Sequence, residues 1–162
     1  MAQDICVAVD EGYVNVRVGA IIRKEGRILM VANSSVDYCY SVGGRIQFGE
    51  SAEEAVRREV REETGWDLEI ERLGFIHEDF FGGDCGKTKG KPIYEIAFYF
   101  YMKVPEDFEP ICASLTAEGR GEVLEWISPD TEKTIFPAFF RTELDQPCSG
   151  VRHIVTDERT MC

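Results

Sequence analysis

The sequence has few basic residues and no long apolar run. Of its 162 residues, 30 are acidic and 18 are basic, which gives a net charge of −12. Such a field repels a phosphate backbone, so duplex nucleic acid and anionic membranes are not expected as partners. No stretch approaches the roughly 20 apolar residues that cross a bilayer. An acidic protein that binds phosphates needs a cation between itself and its substrate.

Paired cysteine motifs are also missing. The six cysteines are widely spaced and form no C-x-x-C pair or Cys/His cluster, so zinc ligation is not expected. The first residues, MAQDICVAVDEGYV, lack the basic region and apolar run of a secretory signal. We therefore expect a cytoplasmic protein with free thiols rather than three disulfides.

No repeat, low-complexity tract or linker divides the chain, whose length suits a single domain over residues 1–162. Alternating, β-branched and aromatic runs predict strands, the first two joined by a tight turn. The strand candidates are 14–22, 27–31, 38–42, 68–81, 94–104, 122–127 and 151–155. Helices are predicted from 52 to about 64 and over 135–144. Strands on either side of one strong helix predict a mixed sheet covered on its faces.

The first predicted helix begins with a capping box, formed by Ser51 and Glu54. Successive residues of an α-helix are turned by about 100° around its axis, and on this basis the apolar residues define one arc of the helix surface. Three acids overlap that arc, while Arg58 lies on the other side. The overlapping acids are Glu59, Glu62 and Glu63.

A solvated acidic face is the simplest reading of a glutamate-rich helix. The geometry disfavours that reading because these carboxylates lie on the side that should meet the body of the protein. Like charges at this spacing also oppose one another by about 0.2–0.5 kcal/mol per pair. A hard divalent cation such as Mg²⁺ binds carboxylate oxygens and would neutralise them.

The stretch GRIQFGESAEEAVRREVREETGW resembles the Nudix box. Its matching positions, in order, are Gly44, Glu50, Arg58-Glu59-Val60, Glu62-Glu63 and Gly65. Trp66 departs from the pattern, since the family usually has an aliphatic residue there, and Val42 stands where many members have proline. The resemblance implies a Nudix α/β/α sandwich with a mixed β-sheet and a core over about residues 14–155.

By resemblance, the protein is a metal-dependent hydrolase of a diphosphate linkage in a nucleoside diphosphate derivative or a nucleoside triphosphate. The cofactor implied is Mg²⁺, with Mn²⁺ as an alternative. The implied metal ligands are Glu59, Glu62, Glu63 and the Gly43 carbonyl. Glu50 is expected to hold a metal-bound water or to steady its loop. Arg58 is expected to orient the glutamates through charge-assisted hydrogen bonds.

The carboxylate that takes the proton from the attacking water is left open. It lies either in the box helix, where Glu62 is a candidate, or later in the chain. The later candidates are Glu118, Glu122 and Glu95. Glu118 is preferred because it sits in a Gly-flanked loop.

Substrate selection should come from residues outside the box. Five strand aromatics suit either stacking on a nucleobase or packing in the core, and they are Phe80, Phe81, Tyr94, Phe98 and Phe100. The loop 82–92 carries three lysines and is either a lid over phosphates or an ordinary solvated loop. His77 and His153 are expected to be satisfied strand histidines.

Two other functions were weighed. The first is a Nudix-fold sensor that binds a nucleotide or sugar nucleotide without turnover, and the complete set of box glutamates disfavours it. The second is an isomerase acting on an isoprenoid diphosphate, for which no matched cysteine and glutamate pair can be assigned. The expected partner is a small nucleotide-type diphosphate, and the oligomeric state, including a homodimer, is left open.

Overall fold

The computed structural model describes residues 2–33, 36–111 and 121–159. The strands are β1 Cys6–Val9, β2 Gly12–Ile21, β3 Arg23–Lys24, β4 Arg27–Asn33, β5 Tyr38–Arg45, β6 Ile70–Gly82, β7 Pro92–Met102, β8 Glu122–Ile127, β9 Thr134–Phe136 and β10 Arg152–Asp157. The α-helices are α1 Ala52–Thr64 and α2 Phe140–Glu143, and a 3₁₀ turn covers Gly86–Thr88.

The strands form a mixed sheet, as predicted. Its main order is β10-β6-β7-β2-β5-β4-β3, with β1 beside β2, β8 beside β4 and β9 beside β5. The pairs β10–β6, β2–β7 and β5–β9 are parallel, and the others are antiparallel. β5 therefore joins the β4 side of the sheet to the β2 side.

Each face of the sheet is covered by one helix. Because side chains alternate along a strand, the residues of β2 supply both faces. One apolar cluster contains Val18 and Ala20 and packs against Val56 and Val60 of α1. The other contains Ile21 and is covered by α2 and the residue before it, through Phe140 and Phe139. The predicted α/β/α sandwich is present, with a long helix on one face and a short one on the other.

The boundaries of α1 agree with the sequence prediction. Ser51 Oγ accepts a hydrogen bond from the Glu54 amide at 3.2 Å, and Glu54 Oε2 accepts one from the Ser51 amide at 2.8 Å. The helix ends at Gly65, whose φ of 76° is left-handed and whose N–H bonds the carbonyl of Arg61.

The helix predicted over 135–144 is partly wrong. Thr134–Phe136 forms β9 beside β5, and only Phe140–Glu143 is helical. Pro137 explains the difference, because proline disfavours helical geometry in the residue before it and keeps Phe136 extended. β1 was not predicted, and Gly43 and Gly44 lie inside β5 rather than after it.

The cysteines that the structure describes, Cys6, Cys39, Cys85 and Cys148, are thiols and form no disulfide there. Cys112 and Cys162 lie outside the described residues. Within the same ranges, neither helix has the length and apolar character required to cross a bilayer.

Candidate active site

The box helix α1 lies against β5 where that strand changes partners. Ser41 still pairs with Met30 of β4, whereas Val42 and Gly43 pair with Ala20 and Gly19 of β2. The N–H of Gly43 is therefore turned away from the ladder and donates to Glu63 Oε2 at 2.8 Å. Only 7% of Glu63 is exposed. The sequence-predicted inward orientation of this carboxylate is correct.

Gly43 and Gly44 make room for that contact. A Cβ atom on Gly44 would lie 2.5 Å from the Glu59 carboxylate, and one on Gly43 would lie 2.1 Å from the carbonyl oxygen of Val18. No real Cβ atom tolerates such distances. The glycine pair thus lets the glutamates of α1 approach the backbone of β5.

Arg58 connects the box acids. Its Nε donates to Glu50 Oε1 at 2.5 Å and its Nη2 to Glu50 Oε2 at 3.0 Å. Its Nη1 donates to Glu59 Oε1 at 2.6 Å and to Glu62 Oε2 at 3.3 Å. The helical wheel set Arg58 apart from the acids, but its long side chain reaches back over the helix surface to them. The Arg58 hydrogen bonds lower the pKa of Glu50 despite partial burial.

The expectation that all three glutamates face inward fails for Glu62. Its side chain is 57% exposed, whereas that of Glu59 is 14% exposed. Glu62 occupies the margin of the apolar arc, at roughly 280° when Ala52 is zero, so it emerges at the solvent edge of the helix.

Burial disfavours the ionised forms of the two inward carboxylates. Burial raises the pKa of Glu63 to about 8, and the nearby charges of Glu59 and Glu122 raise it further against the lowering effect of the Gly43 N–H. Burial also raises the pKa of Glu59, although Arg58 opposes that effect. A cation placed here would stabilise both ionised forms.

The oxygen donors of this site suit a hard divalent cation. Among the described residues, however, no three His, Cys, Asp or Glu side chains converge closely enough to enclose a metal ion. Arg58 Nη1 bonds both Glu59 and Glu62. The oxygen donors nevertheless have the chemistry that a hard divalent cation prefers.

Among the described later acids, Glu122 acts on the box through its charge, which raises the pKa of Glu63. Its Oε1 accepts a hydrogen bond from Tyr40 Oη at 2.7 Å, and Asn33 Nδ2 donates to the same hydroxyl at 3.4 Å. Glu95 is buried on β7 and accepts from Asn15 Nδ2 at 2.6 Å. Glu118 lies outside the described residues.

The strand aromatics have several different environments. Phe100 is core, and Phe98 packs against the same cluster beneath α1. Phe80 lies beside Tyr94 with ring centroids 4.8 Å apart, and Arg159 covers it at 4.0 Å. Phe81 continues β6 next to Ile93 of β7.

The loop 82–92 is tied to the sheet at two points. Tyr38 Oη bonds Asp84 Oδ2 at 3.2 Å, and Lys87 Nζ lies 5.9 Å from the centre of the Tyr13 ring. These contacts favour an anchored loop over a freely solvated one.

Both histidines have partners in strands, as expected. His77 Nε2 lies 2.8 Å from Thr156 Oγ1, and burial lowers the pKa of its ring to about 4. His153 Nε2 lies 2.5 Å from Glu78 Oε2.

Sequence reasoning missed a row of polar side chains on the face of the sheet opposite α1. We call it the second-face polar row, and its members are Arg45, Arg17, Asn15, Glu95 and Asp79. Alternating polar residues in a strand normally indicate a solvated face, so the sequence pattern carried no signal for it. Only the lateral order of the strands brings these residues together.

The structure has a long acidic helix held against a glycine pair, and its mixed sheet carries a helix on each face. These features define a class of α/β sandwich proteins with an acidic site. The NUDIX domain family model matches residues 14–141. The chain belongs to the Nudix family.

A MutT-like protein from Streptomyces ambofaciens is 27% identical over 112 residues, which is 69% of this chain and 62% of that protein. This chain thus spans less than two thirds of that relative. Among solved structures, a UDP-X diphosphatase has a TM-score of 0.53 at 18% identity, covering 80% of this chain and 57% of the other. An ADP-ribose pyrophosphatase from Streptococcus suis has a TM-score of 0.55 at 18% identity, covering 86% and 98%. These structures share the fold.

Proposed function

We propose that this protein hydrolyses a diphosphate linkage in a nucleoside diphosphate derivative or nucleoside triphosphate, with Mg²⁺ or Mn²⁺ as cofactor. One observation carries the proposal. Glu59 and Glu63 of α1 are turned inward against Gly43 and Gly44, and burial raises the pKa of both acids. Folding has gathered two acids whose ionised forms a bound metal ion would stabilise.

The proposed metal ligands are Glu59, Glu62, Glu63 and the carbonyl oxygen of Gly43. A divalent cation held there would neutralise charge on the diphosphate and activate a water for attack. Arg58 is the positioning residue, because its guanidinium bridges Glu50, Glu59 and Glu62. Of the two roles expected for Glu50, its hydrogen bonds to Arg58 and to the Gln47 amide favour steadying the loop.

For the proton acceptor we favour Glu122 among the described later acids. Tyr40 fixes one oxygen of its carboxylate, and its charge acts on Glu63. Glu95 is a poorer candidate because Asn15 already binds it inside the sheet. Glu118 and Glu62 remain the alternatives to be compared by substitution.

Small-molecule diphosphates are the proposed substrates. The net charge of −12 opposes binding of a long phosphate backbone, whereas one or two phosphates can be neutralised by a local metal ion. The structural relatives are named for UDP-X and ADP-ribose, which favours the same substrate class. The cytoplasmic location remains a prediction.

The proposal is tested by incubating the protein with Mg²⁺ or Mn²⁺ and a panel of nucleoside triphosphates, nucleotide sugars and dinucleotides. We expect at least one compound to be split at a phosphoanhydride, with loss of turnover in excess EDTA and recovery on adding metal. Product analysis by ³¹P NMR identifies the bond that is cleaved.

A sensor would give a different result. Tight binding of one panel compound with no turnover under any metal condition contradicts the hydrolase proposal and favours the sensor. Turnover that survives EDTA contradicts the metal assignment alone.

A further inference from the structure

The second-face polar row crosses four neighbouring strands. Arg45 of β5 pairs in register with Arg17 of β2, and Asn15 of β2 pairs with Glu95 of β7. Glu95 in turn pairs with Asp79 of β6. These side chains share the face that carries the second apolar cluster, because they alternate in step with its members Ile21, Ala97 and Phe75.

The centre of the row is fixed by internal hydrogen bonds. Arg45 Nε donates to Asn15 Oδ1 at 2.9 Å, and Asn15 Nδ2 donates to Glu95 Oε2 at 2.6 Å. Asn15 is 4% exposed and Glu95 is 7% exposed. These three residues form a hydrogen-bonded cluster in which each side chain has a partner.

Arg17 is a cation without a hydrogen-bonded partner in that cluster. Its guanidinium donates no hydrogen bond and makes no ion pair within the described part of the chain, although Arg45 directly beside it does. Burial lowers the pKa of Arg17, but the surrounding charges of Glu95, Glu63 and Glu59 outweigh burial and raise it. Arg17 is thus within electrostatic range of the box glutamates while its donors are available to a ligand.

Asp79 presents the complementary feature at the other end of the row. Its Oδ1 atom is buried and accepts no hydrogen bond within the described ranges. A buried acceptor without a donor costs about 1–3 kcal/mol, and most buried polar atoms have a hydrogen-bond partner. The residue paired with Asp79 on β7 is another acid, Glu95, and the hydroxyl of Thr156, which pairs with Asp79 on β10, lies 2.8 Å from His77 Nε2.

We propose that Arg17 and Asp79 form a substrate-binding subsite on the sheet face opposite α1. Arg17 binds a phosphate of the diphosphate, and Asp79 accepts a hydrogen bond from a neutral N–H or O–H group in the part of the substrate beyond it. This inference rests on the proposed function and adds the chemistry by which the rest of the substrate is recognised.

The order of strands gives the subsite its direction. Glu63 is bound at the edge of β5, and β2, β7 and β6 follow in that sequence across the sheet. At roughly 4.8 Å per strand, Arg17 lies one strand from β5, and β6, which carries Asp79, lies about 14 Å from β5 across the sheet. Gly43 and Gly19 are paired between the box and Arg17, and the Tyr99 ring lies directly against Gly19.

Two donor sources fit Asp79, the amino or imino edge of a nucleobase and the hydroxyl groups of a sugar. The experiment therefore compares nucleoside triphosphates with nucleotide sugars. Steady-state kinetics are measured for the full chain and its Arg17→Ala, Arg17→Lys and Asp79→Asn variants. Inorganic pyrophosphate serves as a competing ligand that has phosphates but no further donor group.

Arg17→Ala is expected to raise KM and the inhibition constant of pyrophosphate by about 10–100-fold, the size expected for a lost charge-assisted hydrogen bond. kcat should change less than KM, because the contact between Arg17 and a charged phosphate oxygen is already made in the ground state. Arg17→Lys should recover part of the loss. Asp79→Asn should raise KM by about tenfold and leave pyrophosphate inhibition unchanged.

Matched controls are Arg72→Ala, which removes another half-buried arginine of the sheet, and Glu78→Gln, which neutralises the acid next to Asp79 on the opposite face of β6. Both should retain wild-type KM values. The inference is overturned if Arg17→Ala and Asp79→Asn keep wild-type KM values while the wild type turns over its substrate. If the wild type turns over no compound, calorimetric binding of pyrophosphate still tests Arg17, and unchanged affinity in Arg17→Ala rejects its role.

Discussion

The Gly43 N–H donates to the buried Glu63 carboxylate at 2.8 Å, which joins the box helix to the open edge of β5. This bond meets only part of the requirement of a buried acid, because burial raises the pKa of Glu63 to about 8 even with the bond in place. The same contact that orients the carboxylate therefore leaves its ionised form short of stabilisation, which a bound cation would supply.

Glu63→Gln should reduce hydrolysis by at least ~100-fold, since loss of a metal ligand or of its support commonly has an effect of this order. Glutamine keeps the shape and can still accept from Gly43, so folding should be preserved. The measurement is kcat/KM at several Mg²⁺ concentrations, with Glu53→Gln in the exposed first turn of α1 as the control. Wild-type rates in Glu63→Gln would falsify the metal-ligand assignment.

Gly43→Ala should destabilise the protein and impair metal binding. The new methyl group would lie 2.1 Å from the backbone carbonyl oxygen of Val18, so β5 and β2 must move apart locally. Overpacking of this kind costs about 1–3 kcal/mol, and urea unfolding measures it. Gly150→Ala is the control, because no described atom lies within 4 Å of its added carbon. Equal unfolding midpoints for Gly43→Ala and wild type contradict the tight packing.

Arg58→Lys should lower kcat/KM by about 10–100-fold, the range expected when a residue that orients metal ligands is lost. A lysine keeps the charge but cannot donate in a fork to Glu50 while also reaching Glu59. Arg57→Lys provides the comparison, since Arg57 pairs with Asp67 at the exposed side of α1. If both variants are equally active, Arg58 has no positioning role.

Asp79→Asn should stabilise the protein at alkaline pH. Burial, followed by the charges of Glu95 and Glu158, raises the pKa of Asp79 to about 7. A raised carboxyl pKa favours folding fully below the unfolded pKa of about 3.9, and this contribution is lost as pH rises through about 7. Asparagine does not ionise, so the variant escapes the loss.

The expected gain from Asp79→Asn is on the order of 1–2 kcal/mol at pH 8 after allowing for solvent screening, with little gain at pH 4. Urea unfolding at both pH values measures it. Glu78→Gln, which removes a carboxylate bound to Tyr94 and His153, should show no such gain. A gain independent of pH in Asp79→Asn rules out the ionisation explanation.

Much of the box could be predicted from local sequence because its geometry is local. The capping box fixes the start of α1, Gly65 fixes its end, and helical periodicity turns Glu59 and Glu63 inward. Periodicity alone gave the wrong environment for Glu62, since a residue at the margin of the arc is exposed or buried according to where the sheet ends.

The sequence by itself determined the family, the acidic helix and the mixed α/β class, because each depends on residue types at short, fixed spacings. Tertiary structure alone decided that Glu122 lies near Glu63 and that Arg17 and Asp79 share one face of the sheet. These neighbours come from strands distant in the chain, and lateral strand order is set by packing of the whole sheet rather than by any local pattern.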